Sequence, residues 1–120
     1  YYRNVERFRR LSVNKQKGTT FERDSANFLT DNTSFWVERR ALAGTLDKGD
    51  LIGVPNTVLE CKNHKQLNIA GWVDEAEAEA RNAGAHWFAA LVKRRNKNVR
   101  EAYAVMPLWL YAELLEELHG

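Results

Sequence analysis

Three charged residues, Asp50, Glu60 and Lys62, lie within two short β-rich runs of the chain. The turn signal Pro55-Asn56 separates the two runs, and the pattern predicts a hairpin over residues 49–63. Because side chains alternate across a strand, Glu60 and Lys62 share one face of the second strand. Charged groups in otherwise apolar strands are unfavourable unless they interact with one another. The spacing therefore indicates two acids and an amine that act together.

The chemistry available to such a group is phosphodiester hydrolysis. Two carboxylates held close together repel each other, and a hard divalent cation such as Mg²⁺ or Mn²⁺ relieves that repulsion. A lysine beside the ion can orient or deprotonate a water molecule, or stabilise a phosphorane-like transition state. Asp47 is an alternative first acid because it lies in the same Asp-Lys-Gly-Asp cluster. The apolar strand that directly follows Asp50 favours Asp50.

A regular hairpin would not bring the two acids together. With a two-residue loop, Asp50 would lie opposite Cys61 and on the other face of the sheet from Glu60. A three-residue loop, a bulge at Gly53 or a bend at Gly49 would restore Asp50 to the Glu60 face. We therefore expect an irregularity in this hairpin.

Two motifs in this order resemble a known group of enzymes. Asp50 with Glu60-Cys61-Lys62 resembles the acid and E-x-K elements of the PD-(D/E)xK nuclease superfamily. The string Lys17-Gly18-Thr19-Thr20-Phe21-Glu22-Arg23 resembles the opening helix of the archaeal-type Holliday-junction resolvases, a branch of that superfamily. The resemblance covers residues 17 to about 118. It implies an endonuclease dependent on Mg²⁺ or Mn²⁺ that cuts branched DNA.

The resemblance also implies roles for individual residues. The catalytic residues would be Glu22, Asp50, Glu60 and Lys62, with Lys62 positioning the attacking water. The metal would be held by Asp50, Glu60 and the backbone carbonyl of Cys61, with Glu22 completing the site directly or through water. DNA phosphates would be bound by a basic set consisting of Lys17, Arg23, Arg39, Arg40 and Lys65. Several relatives carry a glutamine in the second helix, and its role would here be absent or taken by Gln66.

The order of elements predicts an α/β domain with a mixed central sheet of about five strands flanked by helices, arranged α-β-β-β-α-β-β-α. This order is similar to the restriction-endonuclease-like core. Residues 1–14 are predicted to form a basic, aromatic arm or short helix, and the resemblance implies that residues 15–120 form the nuclease domain. A helix is predicted over residues 71–83, ended by Gly84, and a last helix over residues 108–118.

Charge and composition are compatible with an intracellular DNA-binding protein. The net charge is only +2, but basic residues concentrate before residue 24 and over residues 93–100, while acids concentrate over residues 74–79 and 113–117. Such segregation suits a face turned toward a polyanion, although solvated surfaces give the same pattern. The single cysteine fits a reducing cytosol, and no apolar run approaches bilayer length.

A four-way junction has two equivalent strands to cut, so we expect a symmetric homodimer. Trp109, Leu110 and the N-terminal arm are the apolar surfaces that could form its interface. Two other functions stay open at this point. One is a different nuclease of the superfamily, acting on duplex or flap DNA, and the other is a non-catalytic nucleic-acid-binding module on the same fold.

Overall fold

Helices and strands follow one another in the predicted order. The computed structural model describes residues 18–41, 44 and 46–120. Its elements are α1 (residues 18–32), β1 (Glu38–Arg39), β2 (Leu51–Ile52), β3 (Thr57–Lys62), α2 (Ile69–Ala83), β4 (Trp87–Val92), β5 (Tyr103–Val105) and α3 (Leu108–His119). The α/β class and the order α-β-β-β-α-β-β-α are therefore confirmed. The arm at residues 1–14 and Lys17 lie outside the described residues.

The five strands described form two sheets, so the expectation of one central sheet is corrected. β1 and β2 form an antiparallel pair, whereas β3 runs parallel to β4 and β4 antiparallel to β5. Between β2 and β3 the amide of Asp50 donates to the carbonyl of Leu59 at 3.0 Å. The regular ladder is interrupted by Gly49 and Gly53, whose φ angles are 95° and 122°. The predicted irregularity of the hairpin is thus confirmed.

Gly53 is required by a close approach of two backbones. A Cβ atom at this position would collide with the backbone carbonyl of Trp36, in the segment that leads into β1. Its positive φ is also one that residues with a Cβ rarely adopt. The close contact sets the path of the chain between β2 and β3.

α1 and α2 pack on opposite faces of β3. On one face, Leu59 and Cys61 contact a buried cluster consisting of Ala26, Val37 and Leu51. On the other face, Val58 packs with Ala76 and Ala80 of α2, and with Phe88 and Leu110. Since side chains alternate along β3, Glu60 and Lys62 lie on the α2 side with Val58. This arrangement places the charged pair of β3 against the second helix.

Both ends of α2 are capped, by Asn68 at the N-terminus and by Gly84 at the C-terminus. The side chain of Asn68 accepts a hydrogen bond from the amide of Gly71, and Gly84 adopts the left-handed conformation after the last turn. The helix therefore ends as predicted and begins two residues earlier than predicted. Its buried positions are Trp72, Ala76, Glu79 and Ala80. An acid thus occupies the stripe that packs on the sheet.

α3 buries one of the two residues expected to be exposed. Leu110 is 0% exposed and packs in the cluster with Val58 and Phe88, so its assignment to an open interface is wrong. Trp109 is 50% exposed, as that prediction required. Other large apolar side chains exposed on α3 are Leu108, Tyr111, Leu115 and Leu118. No helix in the described part of the chain is long and apolar enough to cross a membrane.

Candidate active site

Asp50 is held at the edge of β3 by backbone and side-chain hydrogen bonds. Its carbonyl accepts from the amide of Arg40 at 2.7 Å, and its Oδ2 accepts from the amide of Cys61 at 2.7 Å. In a strand, the N–H and C=O of one residue point to the same edge. The carbonyl of Cys61, which the resemblance assigns to a metal, is therefore directed toward the edge where Asp50 lies.

The carboxyl group of Asp50 is perturbed by its surroundings. Its pKa is raised to about 7, mainly because burial disfavours the charged form and because the charge of Glu60 is close. The charge of Glu22 raises it further, while the hydrogen bond from the Cys61 amide opposes the shift. Asp50 thus interacts electrostatically with both of the other predicted acids.

Lys62 lies between two carboxylates. Its Nζ is 3.4 Å from Oε1 of Glu60 and 2.7 Å from Oε2 of Glu75. Burial opposes the charged form of Lys62, but the hydrogen bond from its amine to Glu75 and the charge of Glu60 raise its pKa above the ordinary value. The structure therefore brings Asp50, Glu60 and Lys62 together, with the amine as an ammonium ion.

Glu60 also belongs to a group of carboxylates that includes two residues of α2. One oxygen each from Asp47, Glu60, Glu75 and Glu79 lies within 4.8 Å of the others. Glu79 is 2% exposed and Glu60 is 5% exposed. Oε2 of Glu60 and both carboxyl oxygens of Glu79 are buried without a hydrogen-bond donor among the described residues. Burial, together with the nearby Glu60 and Asp47 carboxylates, raises the pKa of Glu79 to about 11.

Asp47 is fixed to this group through its backbone and its side chain. The side-chain amide of Asn82, three residues after Glu79 on α2, donates to the carbonyl of Asp47 at 2.9 Å. Oδ1 of Asp47 accepts from the amide of Gly49 at 3.0 Å. Asp47, the alternative first acid, thus reaches the same Glu60 that Asp50 does.

Sequence reasoning missed Glu75 and Glu79 as site residues. Both lie in an Ala- and Glu-rich helix, where acids are usually solvated. A signal was present in the spacing, because Trp72, Ala76 and Ala80 form an apolar stripe and Glu79 falls within it. An acid at such a position needs a proton or a cation nearby.

Glu22 and the predicted DNA-binding arginines lie in or next to two elements. Glu22 and Arg23 belong to α1, Arg39 belongs to β1, and Arg40 follows β1 directly. Oε2 of Glu22 accepts from Nε of Arg39 at 2.9 Å, which pairs two of the predicted site residues with each other. Nε of Arg40 is buried without a partner among the described residues, and Arg23 is exposed. Glu22 interacts with Asp50 through its charge but does not belong to the group of four carboxylates.

The thiol of Cys61 packs against the apolar cluster under α1. Burial raises the pKa of this thiol, and the charges of Asp50 and Glu22 raise it further. A thiol that resists ionisation is a poor nucleophile. The half-buried Cys61 side chain is therefore better suited to packing than to nucleophilic attack.

A basic groove lies where β3 and β4 end. The two strands are parallel, so the residues that follow them meet at the end of the sheet where both strands have their C-termini, next to Lys62. The groove has a volume of about 370 Å³ and is lined by Asn63, His64, Lys65, Lys93, Arg95 and Asn96. The ring of His64 lies 5.4 Å from that of Trp72. Gln66 lines a neighbouring recess with Trp72.

The donor set of the site fits a hard divalent cation. All of its side-chain ligands are carboxylates, which Mg²⁺, Mn²⁺ and Ca²⁺ prefer, and several of the oxygens have no hydrogen-bond partner. Comparison of the chain with protein-family models, with curated proteins and with solved structures finds no match. Function is therefore inferred from the geometry of these residues.

Proposed function

We propose that the chain is a divalent-cation-dependent endonuclease of the PD-(D/E)xK kind that hydrolyses phosphodiesters of DNA. The observation that carries this proposal is the meeting of Asp50, Glu60 and Lys62 at the end of β3. Asp50 reaches the strand through the amide of Cys61 at 2.7 Å, and Lys62 lies 3.4 Å from Glu60. Two acids and an amine with these contacts are the minimum that the E-x-K chemistry requires.

The cation would be held by Asp50, Glu60 and the backbone carbonyl of Cys61, with Glu22 completing the site directly or through water. When bound, a divalent cation supplies Lewis-acid activation of the scissile phosphate. In its absence the same carboxylates repel one another. Burial, and after it that repulsion, raise the pKa of Asp50.

Lys62 would position the attacking water and stabilise the negative charge that develops on the phosphate. It is suited to this task because two carboxylate contacts keep its amine charged. The water oxygen attacks phosphorus and gives up one proton, the bond from phosphorus to one ester oxygen breaks, and the departing oxygen takes up one proton, so that a phosphate monoester and an alcohol are formed. Removing a single preorganised charged group of this kind typically costs about 100-fold or more in rate.

DNA is the substrate that best fits the surrounding charge. The groove containing Lys65, Lys93 and Arg95 continues from the end of β3, so a phosphate chain bound there would pass the carboxylates. Arg23 and Arg40 would contact further phosphates on the α1 side. A four-way junction bound by a homodimer would present one strand to each site.

A cleavage assay on matched substrates tests the proposal. A labelled four-way junction and a linear duplex of the same arm sequence are incubated with the protein in Mg²⁺ or in EDTA. We expect cleavage only in Mg²⁺, and losses of about 100-fold or more for Glu60→Gln and Lys62→Ala with DNA binding retained. Glu77→Gln is a matched control, because Glu77 lies on α2 and pairs with Arg81. Full cleavage by Glu60→Gln would remove the assignment.

The substrate that is cut decides between the finer alternatives. Paired nicks across the junction support a junction resolvase. Cleavage of linear or flap DNA alone supports another nuclease of the superfamily. Tight binding without cleavage of any substrate, in either Mg²⁺ or Mn²⁺, supports a non-catalytic DNA-binding module.

A further inference from the structure

We infer that the α2 side of β3 carries a separate binding site for a divalent cation, formed by Asp47, Glu60 and Glu79 with Glu75 at its margin. This site shares Glu60 with the proposed nuclease centre but does not use Asp50 or Glu22. It goes beyond the proposed function and does not depend on the chain being a nuclease.

The first observation is a concentration of negative charge without enough positive charge to balance it. Four carboxylates place one oxygen each within 4.8 Å of the others. The ammonium group of Lys62 contacts only two of them, Oε1 of Glu60 and Oε2 of Glu75. Among the described residues, no ion pair reaches Asp47 or Glu79.

The second observation is a set of buried oxygens that lack any donor. Both oxygens of Glu79, and Oε2 of Glu60, are inaccessible to solvent, and while the neighbouring acids are ionised they have no hydrogen-bond donor in the described part of the chain. Native proteins rarely leave buried polar atoms in this condition unless an ion, a water or a shared proton completes them. Here the unsatisfied oxygens belong to the same group of acids, so one cation would satisfy them together.

The ligands are held in place, and the site opens to solvent. Glu79 is 2% exposed and is fixed by the apolar stripe of α2, while Asn82 pins the backbone of Asp47 beside it. Asp47 and Glu75 are exposed, so an ion can enter from their side. A site with two buried and two exposed carboxylates can hold an ion and still leave positions for water.

The ligand chemistry selects the class of ion. Carboxylate oxygens favour Mg²⁺, Mn²⁺ and Ca²⁺, and the group includes no thiolate or imidazole that would favour Zn²⁺. Mn²⁺ is the practical probe, because its electron paramagnetic resonance signal distinguishes free from bound ion.

The test is a Mn²⁺ titration of the metal-stripped protein followed by this signal. We expect two sites in the wild type, one of which is lost or weakened at least tenfold in Glu79→Gln. Asp50→Asn should keep the site on the α2 side, and Glu77→Gln should keep both sites. Circular dichroism of each variant checks that the fold is retained.

Several outcomes would overturn the inference. They are Glu79→Gln binding Mn²⁺ as the wild type does, a single site that depends on both Asp50 and Glu79, or no binding at millimolar Mn²⁺. In the last case the acids of this group share protons instead. A wild type with one Mn²⁺ site, lost in Asp50→Asn only, would remove this site and leave the nuclease proposal standing. Failure to cleave DNA, combined with Mn²⁺ binding that depends on Glu79, would remove the nuclease proposal and leave this site standing.

Discussion

Replacing Glu79 with glutamine should stabilise the cation-free protein at alkaline pH. The two side chains have nearly the same shape, and the carboxyl group of Glu79 is buried without a donor. An amide in its place carries no charge and can donate to Oε2 of Glu60. The substitution therefore removes an unfavourable group without opening a cavity.

Two estimates give the size of the effect. For two unit charges no more than 4.8 Å apart, an effective dielectric constant of about 20 gives a repulsion of at least about 3 kcal/mol. Glu79 can avoid this repulsion by keeping its proton, since its pKa is raised to about 11 from 4.5. Holding that proton at pH 8, where the unfolded chain releases it, lowers the free energy of unfolding by about 5 kcal/mol at most. Desolvation of the new amide reduces the gain, so we expect about 2–4 kcal/mol.

The sign of the pH dependence follows from the direction of the shift. A carboxyl group whose pKa is raised on folding contributes stability below its unfolded pKa, and this contribution is lost as pH rises through the folded value. The stability that protonated Asp50 contributes is lost as pH rises to about 7, and the contribution of Glu79 is lost as pH rises toward 11. Without cation, the wild type should lose stability from pH 5 to 8.5. In Glu79→Gln only the part due to Asp50 should remain.

Urea unfolding followed by tryptophan fluorescence measures this effect. In EDTA at pH 8.5, a gain of about 3 kcal/mol moves the midpoint upward by roughly 1–3 M, given the usual dependence on urea for small domains. Adding Mg²⁺ should stabilise the wild type more than Glu79→Gln, because an ion that binds only the folded state shifts the equilibrium. Glu77→Gln is the control for loss of a charge on α2. A Glu79→Gln variant less stable than the wild type in EDTA would refute the reasoning.

Three further predictions concern other parts of the chain. Gly53→Ala should lower the free energy of unfolding by about 2–4 kcal/mol, because the new Cβ meets the Trp36 carbonyl at a positive φ; an unchanged urea midpoint would contradict this. Arg40→Ala and Lys65→Ala should each weaken DNA binding and lower the log–log salt slope by about one, and a residue whose loss leaves both unchanged makes no phosphate contact. Light scattering should report a mass of two chains for the wild type and one for Trp109→Glu, whereas a monomeric wild type would remove the dimer.

Local rules explain the parts of the fold that the sequence predicted. Gly84 ends α2 because it adopts the left-handed conformation, and strand alternation places Glu60 and Lys62 on one face of β3. The division into two sheets is accompanied instead by close approaches between residues distant in sequence, such as the Gly53 and Trp36 backbones. No local pattern reports a contact of that kind. The sequence could therefore predict an irregular hairpin but not the split that results from it.

The candidate site was predictable to the extent that its members lie close in sequence. Asp50, Glu60 and Lys62 come from one predicted hairpin, so their meeting could be expected once that hairpin was taken to be irregular. Glu79 comes from α2, the helix that connects β3 to β4, and its place in the site depends on which face of α2 covers β3. That face is marked by apolar residues, and the acid among them was the feature of the sequence that could have identified Glu79 as a site residue.

Asp47 and Asp50 lie in one cluster, Asp47-Lys48-Gly49-Asp50, but contact different groups. From the sequence alone, the two acids are alternatives for one role. In the structure, Gly49 adopts a φ of 95°, and a Cβ there would approach Cγ1 of Val58 to 2.8 Å. The chain bends tightly against β3 at this glycine, so Asp50 reaches the amide of Cys61 while Asp47 joins Glu60 and Glu79. One short segment thus supplies a carboxylate to each of two groups that share Glu60, which is the arrangement expected if the two acids have different roles.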